Sequence, residues 1–314
     1  RRKWIMSRQH KQKNMGKNSH DQFRKMTETP ISGLILSLAA PTIVSMMVTN
    51  LYNTADTWFV SREGTSASGA VSVVFSLMAI YQAFGFMFGH GAGSNISRKL
   101  GEKREDLVKT YASTSLFLSL ACGAAVSVLG LLFMNPLLRL LGSTETILPY
   151  ARQYVFWVLL AGPLLSGSCV LNNILRYEGQ AFYAMIGLMT GGILNMIGDP
   201  ILMFGCKLGV SGAGISTAVS QLISFGILLG MFRGDKTIST FHLCYFARDT
   251  RVVKEIVSAG FPSLIRQGLG SFTSILLNHQ AALYGDAAIA AMGIVGKVSF
   301  FISAVAIGIG QGFQ

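Results

Sequence analysis

Residues 31–60 read ISGLILSLAAPTIVSMMVTNLYNTADTWFV, an apolar run that contains a single charged residue, Asp56. About 20 predominantly apolar residues are enough to cross a bilayer as a helix. Comparable runs recur along the chain at 69–97, 107–135, 149–175, 181–205, 211–232, 252–283 and 287–313. The pattern therefore predicts an all-α polytopic membrane protein with about eight transmembrane spans, numbered here in chain order.

The composition excludes the other broad classes of protein. Only 13% of the 314 residues are charged, 51% are hydrophobic and the mean hydropathy is +0.48, whereas a soluble domain carries about a quarter charged residues. The four cysteines are far apart and form no CxxC pair, so they are predicted to be small packing residues rather than metal ligands or disulfides.

The net charge of +12 is concentrated in the first 30 residues, which hold nine Lys or Arg against two acids. This tail has no apolar core of a signal peptide. A nucleic-acid-binding arm is the alternative, but a cytosolic tail fits the positive-inside rule, and we expect no nucleic-acid partner.

Basic residues in the joining stretches also alternate between the two sides of the membrane. Beyond the tail, the same side holds Arg98, Lys99, Lys103, Arg104, Lys109, Arg176, Arg233, Lys236, Arg248, Arg251 and Lys254. The opposite side holds only Arg62, Arg139, Arg152 and Lys207. This asymmetry predicts a cytoplasmic N-terminus. We expect a multi-pass protein of the cell (plasma) membrane.

An internal repeat appears when the sequence is shifted on itself by 221 residues, because nine of the 60 positions from 34 to 93 are then identical. The shared residues include Pro41 with Pro262 and Gly64 with Gly285. Parallel repeats of this kind build transporters whose halves rock around a central site.

The predicted organisation is a basic tail (1–30), a six-helix N-terminal lobe (31–233), a cytosolic linker (234–251) and the first two helices of a second lobe (252–314). The repeat leads us to expect about four further helices beyond the second lobe's first two, so that this chain is a fragment.

Two carboxylates lie in the outer parts of apolar spans, Asp56 in span one and Asp199 in span five. Because an ionisable residue inside a membrane is costly, each is a functional hypothesis. Tyr52 lies four residues before Asp56, and Asn195 four before Asp199, so each pair shares a helix face. Facing carboxylates would share a proton or hold a cation such as Na⁺. The alternative is that both aspartates cap helix ends at the water interface.

The chain resembles the multidrug and toxic compound extrusion (MATE) family over residues 31–314. The motifs that carry the resemblance are Pro41 with Tyr52-xxx-Asp56-Thr57, Gly89-x-Gly91-x-Gly93 running into Arg98-Lys99-Leu100-Gly101, Asn172-Asn173-Ile174-Leu175-Arg176-xx-Gly179, Asn195-xxx-Asp199-Pro200, and Gly212-Ala213-Gly214-xx-Thr217-Ala218.

The resemblance implies a cation site for H⁺ or Na⁺ in the N-terminal lobe, with no other cofactor. Its residues are Asp56, Asn195, Asp199 and Thr217, with Tyr52 and Asn172 nearby. Some family members couple through an acid in the seventh helix, but residues 261–270 contain none here. Asn172, Arg266 and Gln267 are the expected substrate-cavity residues. For Arg266 and Lys297 two readings stay open: they line the cavity and tune substrate charge, or they snorkel or pair with further chain.

The function that the resemblance implies is cation-coupled efflux of small, amphipathic, cationic compounds by an alternating-access antiporter. Such a protein is not an enzyme, contacts membrane lipid and is expected to be monomeric at full length. One alternative is a lipid-linked-saccharide flippase, whose N-lobe cavity would be basic. The other is an intramembrane aspartyl protease, although the expected Tyr-Asp and Gly-x-Gly-Asp motifs are replaced by Ala55-Asp56 and Ile197-Gly198-Asp199.

Two smaller predictions concern packing. Gly89, Gly91 and Gly93 are expected to permit close helix packing, since no strand precedes them as a nucleotide-binding loop would require. Glu178 is expected to form a local ion pair with Arg176.

Overall fold

The computed structural model describes residues 30–233, 237–247 and 249–313, so nearly all of the predicted basic tail lies outside the described residues. The α-helices are α1 (Ile31–Ser61), α2 (Thr65–Gly101), α3 (Glu105–Leu132), α4 (Met134–Leu140), α5 (Leu148–Tyr177), α6 (Ala181–Pro200), α7 (Gly209–Met231), α8 (Thr250–Ala282) and α9 (Asp286–Phe313). A π-helical turn, Ile201–Gly205, follows α6, and a 3₁₀ turn, Leu243–Tyr245, precedes α8.

The prediction of an all-α polytopic protein is confirmed. Seven of the described helices are long and apolar enough to cross a membrane: α1, α2, α3, α5, α6 with its π turn, α7 and α9. The remaining predicted span, the seventh (252–283), forms α8, which has the length but is more polar, because Arg266, Gln267 and Asn278 interrupt its apolar residues. Large apolar side chains such as Leu132 and Ile302 are exposed, as lipid-facing positions are.

Helix α2 is the centre of the assembly and packs along both α5 and α8. Two glycines allow the close approach of α2 and α8. A Cβ atom at Gly91 would overlap the carbonyl oxygen of Ile256, and one at Gly260 would overlap that of Met87. A Cβ at Gly93 would likewise overlap the ring of Tyr177, so the predicted close packing at these α2 glycines is confirmed.

The internal repeat is visible as a matched pair of helical hairpins, α1–α2 and α8–α9. Pro41 lies inside α1 and Pro262 inside α8. Gly64 and Gly285, which end the corresponding turns, both have positive φ, +123° and +94°, a conformation that glycine adopts without steric cost. The first helix of each hairpin packs on the second helix of the other, α1 on α9 and α8 on α2. The division into lobes at 233 and 252 stays a prediction.

Candidate functional site

Asp56 lies in the last third of α1 and is buried, with 4% of its surface exposed. Its Oδ2 accepts a hydrogen bond of 2.8 Å from the hydroxyl of Tyr154 on α5. Its Oδ1 is buried and has no hydrogen-bond partner among the residues that the structure describes. Since α1 continues to Ser61, this carboxylate does not cap the helix end.

Asp199 is fully buried at the end of α6. The side-chain amide of Asn195, one turn earlier, donates to its Oδ1 at 3.0 Å. The same amide lies 3.2 Å from the hydroxyl of Thr217 and 3.3 Å from that of Ser216, both on α7. The other oxygen of Asp199, Oδ2, is buried without a partner in the described part of the chain.

Tyr154 joins these two halves into one polar network. Its hydroxyl, bonded to Asp56, also lies 3.4 Å from the Thr217 hydroxyl, which in turn contacts Asn195. The structure thus brings the four predicted residues together from three helices and adds a fourth helix, α5.

Burial of both carboxylates contradicts the alternative that they lie at a water interface. The sequence reasoning missed Tyr154, although its position near the start of an oppositely directed span places it at the depth of Asp56.

The backbone after Asp199 departs from regular α-helix. Pro200 ends α6 and leads into the π-helical turn, in which the N–H of Cys206 donates to the carbonyl oxygen of Ile201 at 2.9 Å. Gly212 at the start of α7 lets this turn approach, because a Cβ there would lie 2.8 Å from the backbone of Leu202. Local π-helix is frequent at functional sites, where it re-aims side chains.

A central cavity begins beside this network and is lined by α1, α2, α5, α6, α7, α8 and α9. Tyr52 lies on its wall, packed against Gly192, rather than in the hydrogen-bonded chain described above. The three predicted cavity residues, Asn172, Arg266 and Gln267, all line it. The Asn172 amide is engaged in packing, since it donates to the carbonyl oxygen of Ala184 at 2.9 Å.

Arg176 also lines this cavity, where its guanidinium donates to the side-chain oxygen of Gln311 on α9. The predicted pair with Glu178 is wrong. The Glu178 carboxylate instead accepts hydrogen bonds from the backbone N–H groups of Ile238 (3.1 Å) and Ser239 (3.0 Å) in the linker. Arg176 therefore faces the cavity, and its assignment to a joining stretch was also wrong.

Lys297 is buried between α9 and α1, away from the central cavity. Its ammonium donates to the carbonyl oxygen of Asn53 at 2.9 Å, and the Asn50 amide donates to the Lys297 carbonyl oxygen at 2.9 Å. With 6% of its surface exposed, Lys297 does not snorkel. It lies instead beside a second cavity lined by Thr54, Thr57 and Trp58.

Comparison with known proteins identifies the family. The MatE family model matches residues 41–201. The multidrug export protein MepA of Staphylococcus aureus (strain MRSA252) is 27% identical over 293 residues, which are 93% of this chain and 65% of that protein. MepA of Staphylococcus haemolyticus (strain JCSC1435) is 28% identical over 295 residues, with the same two coverages. The chain thus spans just under two thirds of the length of these relatives.

Solved structures agree with these matches. One is described as the outward-facing conformation of a multidrug resistance MATE family transporter of the MOP superfamily. It aligns with a TM-score of 0.81 and 27% identity, over 92% of this chain and 64% of that one. Another, a structure of the MATE multidrug transporter DinF-BH, aligns with a TM-score of 0.84 and 30% identity, over 89% and 63%. These relatives are transporters rather than enzymes. The family match covers more than half of the residues, and the chain belongs to the MatE family of multi-pass membrane proteins.

Proposed function

We propose that this protein exports small amphipathic molecules across the plasma membrane by secondary active antiport against H⁺ or Na⁺, with its N-terminus in the cytoplasm. The observation that carries the proposal is the buried network in which Asp56 and Asp199 each keep one unpartnered oxygen. A buried carboxylate oxygen without a partner is costly, and a proton or a small cation removes that cost.

The roles within the network follow from the direction of its hydrogen bonds. Asn195 donates to Asp199, so it orients that carboxylate and leaves Oδ2 available. Tyr154 likewise donates to Oδ2 of Asp56, so it orients that carboxylate and leaves Oδ1 available. A bound Na⁺ would be held by the two free carboxylate oxygens with help from the Thr217 hydroxyl, because oxygen atoms are the ligands that suit hard cations. A proton would bind one of the same two oxygens.

Coupling to movement is proposed to run through α1. Pro41 removes one backbone hydrogen bond from this helix. Ser and Thr side chains also bond back to preceding carbonyl oxygens, Ser45 to Pro41 at 2.8 Å and Thr49 to Ser45 at 2.8 Å, a pattern that bends helices. Loading one cation changes the charge at Asp56 by one unit and biases two packings of α1. By linkage, the substrate and the cation then affect each other's binding by the same factor.

A lipid-linked-saccharide flippase is the second candidate function. The sequence disfavours this alternative, because the predicted spans of the N-terminal lobe carry acids and no Lys or Arg at mid-membrane depth. Arg176 on α5 lies in the cavity, and this position favours the flippase more than the sequence did. The cationic character of the substrate stays a prediction that follows only from the resemblance.

The test uses the purified protein in proteoliposomes, with a pH gradient and a Na⁺ gradient imposed separately and efflux of a fluorescent substrate followed. We expect one gradient to drive efflux. Asp56→Asn should abolish it, while Asp106→Asn, an exposed carboxylate at the start of α3, should retain it. Equal efflux by the Asp56→Asn protein, or no response to either gradient, would contradict the proposal.

A further inference from the structure

The charged side chains that line the central cavity in the described part of the chain all have the same sign. Arg176 from α5 and Arg266 from α8 both line it, and no Asp or Glu is among its described lining residues. The other polar groups on its walls are uncharged, such as the side chains of Gln82, Gln221 and Gln267.

Neither arginine is neutralised by a carboxylate within the described ranges. The ion pairs there are Lys99–Glu102 and Arg139–Glu145. Arg176 donates to the uncharged Gln311, and Arg266 makes no side-chain hydrogen bond to the described residues. The carboxylates of Asp56 and Asp199 belong to the separate hydrogen-bonded network and are not among the described residues that line this cavity. Arg266 is exposed and Arg176 is half-buried, so the two unbalanced guanidinium groups attract an anion to the cavity and repel a cation.

The remaining wall of the cavity is apolar. Phe86, Leu165, Phe300 and Ile307 face the same space as the two arginines. A ligand that fits both parts has an apolar body and one anionic group. Guanidinium groups bind planar or tetrahedral oxyanions through paired N–H donors, so a carboxylate, a sulfonate or a phosphate fits this role.

We propose that the central cavity binds an amphipathic organic anion, with its oxyanion on Arg176 and Arg266 and its apolar part against Phe86 and Phe300. The identification deepens the proposed export function and rests on it for the direction of transport, whereas binding itself needs no gradient. It reverses the sign of charge that the family resemblance led us to expect for the substrate.

Three pyrene probes of one shape test the sign directly: 1-pyrenebutyrate, 1-pyrenebutanol and 1-pyrenebutyl-trimethylammonium. Their binding to the purified protein in phosphatidylcholine nanodiscs is measured by fluorescence anisotropy, with empty nanodiscs subtracted. We expect the butyrate to bind at least about tenfold more tightly than the trimethylammonium probe, with the alcohol between them. Equal affinities, or tighter binding of the cation, would overturn the proposal.

Variants separate a charge contact from a structural effect. Arg266→Gln should weaken butyrate binding about tenfold and leave the alcohol unchanged, and Arg266→Lys should restore part of the loss. Arg251→Gln, an exposed arginine on the same helix and outside the cavity, is the matched control and should bind like the parent. Equal loss of butyrate and alcohol in Arg266→Gln would mean that the arginine only supports packing, which would contradict the proposal.

Two sources of the anion are distinguished by competition. Displacement of the butyrate probe by phosphatidic acid in the nanodisc would assign the site to a lipid phosphate, and displacement only by soluble octanoate would assign it to a free amphiphile. Either result supports an anion site, and failure of both to compete would contradict it. Selective anion binding without gradient-driven efflux would contradict the export function and support the anion site. Gradient-driven efflux without anion selectivity would support the export function and contradict the anion site.

Discussion

At the scale of single residues, the candidate cation site consists of four polar side chains from three helices, connected through the hydroxyl of Tyr154. Asp56 and Asp199 stand out because charged residues are rare in apolar spans, and the four-residue spacing identifies Asn195. Tyr154 was not readable, because its part depends on how α5 packs against α1 and α7, which no local pattern encodes. Arg176 was assigned to the wrong environment for a different reason. The ends of helices predicted from a sequence are uncertain by several residues, and Arg176 lies at such an end.

Tyr154→Phe tests the link between the two carboxylates. The change removes the hydroxyl that bonds to Asp56 at 2.8 Å and contacts Thr217 at 3.4 Å, while the ring keeps its packing. A hydrogen bond donated to a carboxylate stabilises its charged form by about 1.5–3 kcal/mol, so without this bond the affinity of the network for a neutralising cation should rise by roughly tenfold or more. Na⁺-dependent or pH-dependent thermal stabilisation measures this affinity. Tyr150→Phe, one turn earlier and exposed, is the control and should show the parent's affinity.

At the scale of elements, each predicted apolar segment corresponds to one helix, with ends that differ by several residues. The short helix α4 and the π turn after Pro200 were not predicted, because a one-residue break between α3 and α4 and a change of helix type leave no hydrophobic period to read. The glycine prediction succeeded at Gly91 because small residues in apolar helices have few purposes other than close packing.

Gly260→Ala should break the crossing of α2 and α8. The added Cβ would overlap the carbonyl oxygen of Met87, which is backbone and cannot rotate away. Overpacking of this kind costs about 1–3 kcal/mol or more, so the melting temperature in detergent should fall clearly. Gly268→Ala lies on the same helix with no atom within 4 Å of the added Cβ and should melt like the parent. Equal melting of both variants would show that α2 and α8 do not cross at Gly260.

The linker contact at Glu178 gives a pH dependence. Burial raises the pKa of this carboxyl group above its ordinary value of 4.5, although hydrogen bonds from Ser239 and Ile238 offset part of the shift. The folded protein therefore holds this proton more tightly than the unfolded protein does. The contribution of Glu178 to stability is fully present below its unfolded pKa and is lost as the pH rises through its folded pKa.

Glu178→Gln should accordingly flatten the dependence of melting temperature on pH in that window. It should also lower stability by about 1–3 kcal/mol, because one of the two backbone N–H groups loses its acceptor. Glu63→Gln, an exposed position, is the control and should keep the slope of the parent. An unchanged slope in Glu178→Gln would contradict the assignment of the pH dependence to this contact.

At the scale of the whole molecule, two polar contacts hold α9 against the first six long helices and their short neighbour, in addition to the packing of α8 on α2. Asp286 accepts hydrogen bonds from Ser66 (2.6 Å), Thr144 (2.7 Å) and Thr146 (2.6 Å) near the α1–α2 turn. Lys297 holds the middle of α9 to α1 through Asn53. Any rocking of the two hairpins against each other has to exchange these contacts, so Lys297 connects that movement to the helix that carries Asp56.

Lys297→Met tests this connection. The ammonium bonds to the carbonyl oxygen of Asn53, within one helical turn of Asp56, so its charge opposes the binding of a second cation at the network. Because charges separated by several ångströms inside a protein interact by about 1–3 kcal/mol, its removal should tighten cation binding by up to roughly tenfold. Methionine keeps most of the buried apolar volume, which limits the loss of packing. The readout is the concentration of Na⁺, or the pH, that gives half of the thermal stabilisation, with Lys254→Met, an exposed lysine on α8, as the control. Unchanged or weaker cation affinity in Lys297→Met, together with normal melting of the cation-free protein, would show that the ammonium does not act on the carboxylates and that α9 moves independently of them.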